Sequence, residues 1–479
     1  MTEKEYWQRH MRSLAADEPF LIRAEDGFAY TYQDFFGGVQ AMAEQVRVVR
    51  ARQLIVCMEN SPALCMLYFA CAMENKEIIP LDPQKSPAEI ERIRACHPDA
   101  ETVGVEPGCT LKESLQQAAQ LGKSAGRPLD ELFAQTDFEK PYLITYTSGS
   151  TGLPKGVVHS LRGLVASALS FGKLLGYVQG DTFYHAMPMT YMAGILNTIF
   201  LPFLFGCRIV LGRRFSVMEA VPFWKRVAAY RVTCFWMAPA MLRMLLTVDR
   251  QRRGRDALAG RKIIFSVGTA PLDARLREDF EQAYGIRLYQ SYGLSETLFL
   301  TSQCTASPAK DHSVGRLLDG VEMKRLPDGE ASFRVPWMFL GYWDGGGTVC
   351  RPPEWYDTGD LIDGTPEQLV ICGRKKDLII KGGININPND IEQCLQSVFG
   401  IAQCVVLGVP RRGDEQIVCW TAGAEAAKLE RGALNAAIEQ HLGHKYRMDA
   451  LVNLPELPRN LNGKIDKPRL RQEWEMTHP

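Results

Sequence analysis

Through the first third of the chain, short unbroken apolar runs alternate with longer stretches of helical period. "QLIVCM" (53–58) and "EIIPLDP" (77–83) are too short for helices and read as buried strands. "SPALCMLYFACAMEN" (61–75) repeats its apolar residues at helical spacing behind a Ser-Pro start, and "SPAEIERIRACH" (86–97) reads as a second helix. Strand alternating with helix predicts a parallel sheet covered on both faces. After a polar stretch at roughly 112–140, strand patterns resume in "PYLITYT", "CRIVLG", "VTCFWMA", "KIIFSVG" and "IRLYQSYG". From about 314 to 370 the segments shorten and Gly, Pro and Asp crowd in, as in a small β subdomain. "CGRKKDLIIKGG" (372–383) then reads as a hinge into a compact α+β unit ending near 475.

Length and composition narrow the class. At 479 residues the chain is too long for one ordinary core. A formal net charge of zero argues against a dedicated nucleic-acid or anionic-membrane binder. Thirteen Cys without paired C-x-x-C spacing read as reduced, cytoplasmic thiols rather than a zinc site or a disulfide framework. The N-terminal stretch lacks the apolar core of a signal peptide, and no run is long enough to span a bilayer. "NTIFLPFLFGC" (197–207), broken by Pro202 and Gly206, reads as buried core.

Candidate chemistry begins at "YTSGSTGLPKGVVHS" (146–160). Glycines permit close backbone approach, hydroxyls donate to phosphate oxygens, and a lysine adds a point charge. The Walker A spacing fails, because Pro154 precedes Lys155 and Gly156 follows it. Further along, "SVGTAPL" (266–272) is a strand ending in exposed backbone that could hold a flat base. "YQSYGLSETLF" (289–299) sets Ser295 beside Glu296 after a tight turn, a pairing suited to a phosphate oxygen and Mg2+. Asp360 of "WYDTGDL" could accept both hydroxyls of a ribose, and Arg374 of "GRKKD" offers a fixed fork for the sugar or a phosphate. Lys464 in "LPRNLNGKIDK" follows an Asn-Gly turn that would expose it. Taken singly these are a linker, a loop, a helix cap, a turn residue and a surface lysine; order and spacing together give them weight.

The set resembles the ANL superfamily of adenylate-forming enzymes, which includes acyl- and aryl-CoA synthetases, adenylation domains and luciferases. "YTSGSTGLPKG", "GTAPL", "YGLSET", "WYDTGD", "GRKKDLIIKGG" and "NGKID" look like its core motifs in the family's order, from about residue 20 to 470. The resemblance implies an α/β fold: a large N-terminal domain of parallel-rich αβα sheets plus a small β subdomain (1–374), hinged to a small mobile α+β C-terminal domain (375–479). It implies that Thr147, Ser148, Gly149, Ser150, Thr151, Gly152 and Lys155 enclose the outer phosphates of ATP. Gly268, Thr269 and Ala270 would border adenine, with Tyr292 stacked on it beside Gly293. Ser295 would touch the α-phosphate, Glu296 would hold Mg2+, and Asp360 and Arg374 would hold the ribose. Lys376 falls at the hinge, and Lys464 would be catalytic together with Glu296 and Lys155.

A two-step reaction follows from the resemblance: a carboxylate and ATP give an acyl-adenylate and pyrophosphate, and a thiol then takes the acyl group. CoA is the expected acceptor; the alternative is the phosphopantetheine of an acyl carrier protein. A catalytically degenerate nucleotide-binding protein is a third reading, opposed by the intact lysines and carboxylates. No carrier domain is expected within the chain. Gly382 and Gly383 would let a pantetheine arm pass. Tyr191 stands where many acyl-CoA synthetases have His, and Met192 where amino-acid-activating members have Asp. Ala193, Leu196, Ala240, Ser291 and Phe299 complete the expected acyl pocket, which is mostly apolar. Asp414-Glu415 replaces the family's Gly-Glu. Neither the acid nor the oligomeric state is legible.

Overall fold

The structure is a computed structural model. It describes residues 1–104, 113, 128–147, 155–306, 313–343, 349–350, 352–401, 403–411, 414–423, 429–459 and 465–478. Its described strands form sheets of thirteen, seven, three and two members.

The middle of the largest sheet is parallel. Thr182–His185 lies between Arg208–Leu211 and Cys234–Met237, and Ile264–Val267 and Leu288–Leu294 follow in order. In the seven-stranded sheet, Gln53–Val56 lies between Glu101–Val103 and Glu77–Pro80, and Pro141–Thr147 pairs parallel with the latter. Most of these strands are buried on both faces, which is why their sequences run apolar without alternation. The expected helices form where their caps allow. Ser61 accepts the Leu64 N–H ahead of Pro62–Met73, and Ser86 forms a capping box with Glu89 ahead of Pro87–Ala95.

The short strands of 313–374 extend the two large sheets. Ser313–Leu317, Glu322–Arg325, Glu330–Arg334, Tyr356–Thr365 and Gln368–Arg374 prolong the larger one, whereas Gly341–Trp343 pairs antiparallel with Lys155–Ser160 of the other. Residues on one subdomain's strands thus reach both sheets.

Beyond residue 375 the chain builds a three-stranded sheet. Cys404–Arg411 pairs antiparallel with Asp414–Ala422, which pairs parallel with Ala450–Leu454. The two-residue period of these strands divides the core. Val405, Leu407, Val409, Val418 and Trp420 pack with Leu470 and Trp474 of the helix Lys467–Thr477. Val406, Ile417 and Cys419 face the opposite way, with Ile391, Leu395, Leu434 and Ile438 of the helices Pro388–Phe399 and Arg431–Leu442. The principal buried cluster draws on residues from Trp7 to Leu369, and these two begin at Ile379 and Val405. Among the described residues, no helix is long and apolar enough to cross a membrane.

Candidate active site

Three neighbouring parallel strands end together. Their register pairs Trp236 with Ser266 and Val267 with Gln290, so Gly268 and Ser291 emerge at one edge. The carboxyl edge of a parallel sheet is the usual ligand side of such folds. A Cβ on Gly268 would stand 2.7 Å from Trp236 Cζ2 and 3.0 Å from Ser291 Oγ, so only glycine fits there. Thr269 follows with φ of 70°, a left-handed conformation that a β-branched residue adopts only under strain. Ala270 continues the same connection.

Leu288–Leu294 carries Tyr292 and Gly293 out of this edge, and a turn over Ser295 and Glu296 returns the chain as Leu298–Ser302. His159, Phe339 and Tyr342 are among the groups that hold that turn. His159, buried on the strand Lys155–Ser160, donates from Nε2 to the Ser295 carbonyl at 2.6 Å. The Phe339 N–H donates to the Glu296 carbonyl at 3.0 Å. The Tyr342 hydroxyl donates to Glu296 Oε1 at 2.7 Å and lies 3.0 Å from the Tyr356 hydroxyl. Burial pushes the His159 imidazole down to about 4, so it is neutral and serves as a fixed donor. Lys155 stands opposite Thr147 at the mouth of the hairpin, with Nζ 5.2 Å from the centre of the Tyr342 ring.

On the far side of Tyr292, its hydroxyl donates to Asp360 Oδ2 at 2.7 Å, while Arg374 Nε meets Asp360 Oδ1 at 2.7 Å. The pair follows from strand register, because Asp360 and Arg374 face each other across the hairpin of Tyr356–Thr365 and Gln368–Arg374. Asp360 is buried and Arg374 is exposed. Burial and the adjacent Asp360 charge push the Tyr292 phenol well above its ordinary value, keeping it a donor. Glu330 accepts the Gly359 N–H at 2.7 Å and pairs with Lys375 at 2.9 Å, joining the Asp360 turn to the first residues past Arg374.

The remaining expected residues are dispersed. Ser148, Gly149, Ser150, Thr151 and Gly152 lie outside the described residues, as does Lys464. Arg459 and Ile465 bridge on either side of Lys464, and burial together with the Arg243 charge lowers the Arg459 guanidinium. Arg243 belongs to the helix Pro239–Val248, which also carries Ala240. Lys376 is exposed in the turn Lys375–Asp377, whose Asp377 pairs with Lys467 at 2.5 Å. Gly382 and Gly383 have left-handed φ of 58° and 75°, with nothing within 4 Å of an added Cβ. Gly382 N–H donates to Asp414 at 3.0 Å, so the altered Asp414 grips this hairpin.

Of the expected acyl-pocket positions, Leu196, Ala193, Ser291 and Phe299 are buried, and Phe299 stacks on Phe171 at 3.7 Å. Met192 packs against the main core. Tyr191 is half-buried, and burial together with neighbouring Asp82 pushes its phenol up to about 12. Asp82 is itself tied to Arg214 at 2.8 Å. Asn60 anchors the segment by accepting the Met189 N–H and donating to the Met187 carbonyl, each at 2.9 Å.

Trp236, His159, Tyr342 and Tyr356 were not singled out in the sequence. Trp236 had a readable signal, since "VTCFWMA" precedes "KIIFSVG" and neighbouring parallel strands end together. The others depend on pairing between distant segments. The donor set suits a magnesium nucleotide. No cluster of three His, Cys, Asp or Glu exists among the described residues, and Mg2+ is commonly held by one carboxylate with the remainder supplied by phosphates and water.

Comparisons with known proteins identify the family. Residues 7–343 match the model of the AMP-binding enzyme family. A 2-succinylbenzoate–CoA ligase from Bacillus pumilus is 27% identical over 503 residues, covering 99% of each chain. A probable CoA ligase from Humulus lupulus is 26% identical over 380 residues, covering 70% of this chain and 61% of its own. The crystal structure of ATP-bound MatB from Rhodopseudomonas palustris superimposes with a TM-score of 0.84 over 100% of both chains at 21% identity. The chain therefore belongs to the AMP-binding enzyme family, within the adenylate-forming superfamily, and its class is AMP-forming acid–thiol ligase.

Proposed function

We propose that this protein joins a carboxylic acid to CoA in two steps at the site described. The acid's carboxylate oxygen attacks the α-phosphorus of ATP, the bond to the β-phosphate breaks, and pyrophosphate leaves. The CoA sulfur then attacks the acyl carbon, and AMP departs with the bridging oxygen. One observation carries the reading: segments from four separated motifs meet around Tyr292 and Tyr342, where Tyr292 donates to Asp360, Asp360 pairs with Arg374, and Tyr342 contacts both Glu296 and Lys155.

In this reading Asp360 and Arg374 hold the ribose, and Tyr292 lies along adenine above Gly268, Thr269 and Ala270. Thr147 and Lys155, with the five residues Ser148 to Gly152, hold the outer phosphates. Ser295 contacts the α-phosphate, and Glu296 would hold Mg2+, which neutralises phosphate charge. Lys464 stabilises the charge where carboxylate meets α-phosphate. The chain divides at 374/375, Lys376 is the pivot, and Gly382 and Gly383 line the thiol's path. The scattered cysteines support a cytoplasmic setting.

The names of the relatives support CoA as acceptor over a carrier protein. Met192 offers no partner for a buried ammonium, so the acid is not a zwitterionic α-amino acid. Tyr191, Met192, Ala193, Leu196, Ala240, Ser291 and Phe299 form the acyl pocket in this reading, and their mostly apolar character favours an acid with an uncharged body. The test is pyrophosphate release from ATP across a panel of carboxylates, followed by trapping with CoA or a phosphopantetheinylated carrier. Acid-dependent release with CoA thioester formation is expected. Thioester on the carrier alone would favour the second acceptor, and ATP binding without turnover would favour a degenerate protein.

A further inference from the structure

The Tyr342 side chain contacts both Lys155 and Glu296, and neither the phosphate motif nor the "YGLSET" motif includes it. Its position follows from backbone pairing. Phe339 donates to the Glu296 carbonyl at 3.0 Å, Leu340 donates to the Val158 carbonyl at 2.7 Å, and Tyr342 then pairs with Val157. The segment thus crosses from the Glu296 turn to the strand that begins at Lys155. Phe339 packs edge-on against the Tyr342 ring at 4.9 Å and against the Tyr356 ring at 5.7 Å, fixing both.

The proton on each hydroxyl can be placed. Glu296 carries only acceptor oxygens, so the Tyr342 hydroxyl is the donor of the 2.7 Å contact between them. Its proton goes to Glu296 Oε1, and the 3.0 Å contact with Tyr356 must therefore be donated by Tyr356. The chain Tyr356 to Tyr342 to Glu296 fixes one carboxylate oxygen and takes one of about four lone pairs, leaving the rest for a cation. The opposite part of the same side chain, its ring face, lies beneath the Lys155 ammonium at 5.2 Å.

We propose that Tyr342 is a positioning residue with two separable tasks: its hydroxyl aims Glu296 at the metal of the nucleotide, and its ring holds Lys155 for the phosphates. This rests on the reading of Glu296 as the metal-binding carboxylate. Hydrogen bonds to a metal-binding group commonly change metal affinity by about 10- to 100-fold.

The two tasks are separated by Tyr342→Phe, which keeps the ring and loses the hydroxyl, and Tyr342→Ala, which loses both. The measurements are Mn2+ affinity by spin resonance with a non-hydrolysable ATP analogue bound, and affinity for the metal-free analogue by calorimetry. Tyr342→Phe should weaken Mn2+ about tenfold and leave metal-free analogue binding unchanged. Tyr342→Ala should weaken Mn2+ similarly and the metal-free analogue about threefold. Glu296→Gln, measured alongside, reports on the underlying reading. Weaker Mn2+ in Glu296→Gln with parental affinity in Tyr342→Phe overturns the role of Tyr342 alone. Parental affinity in both variants overturns Glu296 as the ligand and this proposal with it. A metal-free affinity that falls equally in Phe and Ala variants overturns the division of tasks.

Discussion

Glu296 combines a fixed backbone with a side chain held at one oxygen. Its carbonyl accepts from Phe339 and its carboxylate from Tyr342. Glu296→Gln retains size and removes the charge that a hard cation requires. Pyrophosphate release should fall by about a hundredfold or more, and the Mg2+ concentration for half-maximal rate should rise; an unaltered Mg2+ titration would remove Glu296 as the ligand. The type and spacing of Ser295 and Glu296 were legible in the sequence because the motif is local. The supports His159, Tyr342 and Tyr356 were not, since each reaches the turn only after strands far apart in the chain have paired.

The end of the strand Ile264–Val267 shows how an element sets a site. Gly268 lies against the Trp236 ring edge on the next strand, and overpacking a buried contact costs about 1–3 kcal/mol. Gly268→Ala should therefore lower the melting temperature and weaken ATP binding together, measured by thermal denaturation and calorimetry. Parental values for both would mean that the Trp236 contact does not define this edge. Buried strands such as Gln53–Val56 and Glu77–Pro80 were readable, because covering both faces of a sheet demands unbroken apolar runs. The placement of Gly341–Trp343 on one sheet and Tyr356–Thr365 on the other was not readable. Short strands carry little periodicity, and partner choice is a long-range property. The Asp414 grip on Gly382 was likewise invisible, although the departure from the family pattern marked the position.

At the scale of the molecule, the two bodies carry opposite buried titrations. Burial lowers His10, His97 and His159 to about 4 and His185 to about 3, all within the large body. The unfolded chain takes up those protons first, so this stability is complete above about pH 6.5 and is lost as pH falls toward 4. Glu77, raised by burial, opposes this in part. In the C-terminal unit burial raises Glu392 to about 7, so its contribution is present below about pH 4.5 and lost as pH rises through 7. Between about pH 7 and 5, calorimetry should show the large body's transition falling and the small unit's rising. Parallel movement of both would contradict this assignment. The proposed division of labour between the bodies gives a kinetic counterpart. Lys464→Ala should abolish pyrophosphate release yet still convert supplied acyl-adenylate to thioester. Lys376→Pro, which fixes φ at the proposed pivot, should form acyl-adenylate and stall before the thiol step. Equal loss of both steps in both variants, with parental melting, would refute a swivel about Lys376.

The chemistry itself is tested by following one oxygen atom. An acid that supports pyrophosphate release is prepared with isotopically heavy oxygen in its carboxylate and turned over with ATP and CoA. Mass spectrometry of the nucleotide product should then show AMP carrying one heavy oxygen, transferred when the carboxylate attacked the α-phosphorus. AMP without the label, or ADP in its place, would contradict an acyl-adenylate intermediate.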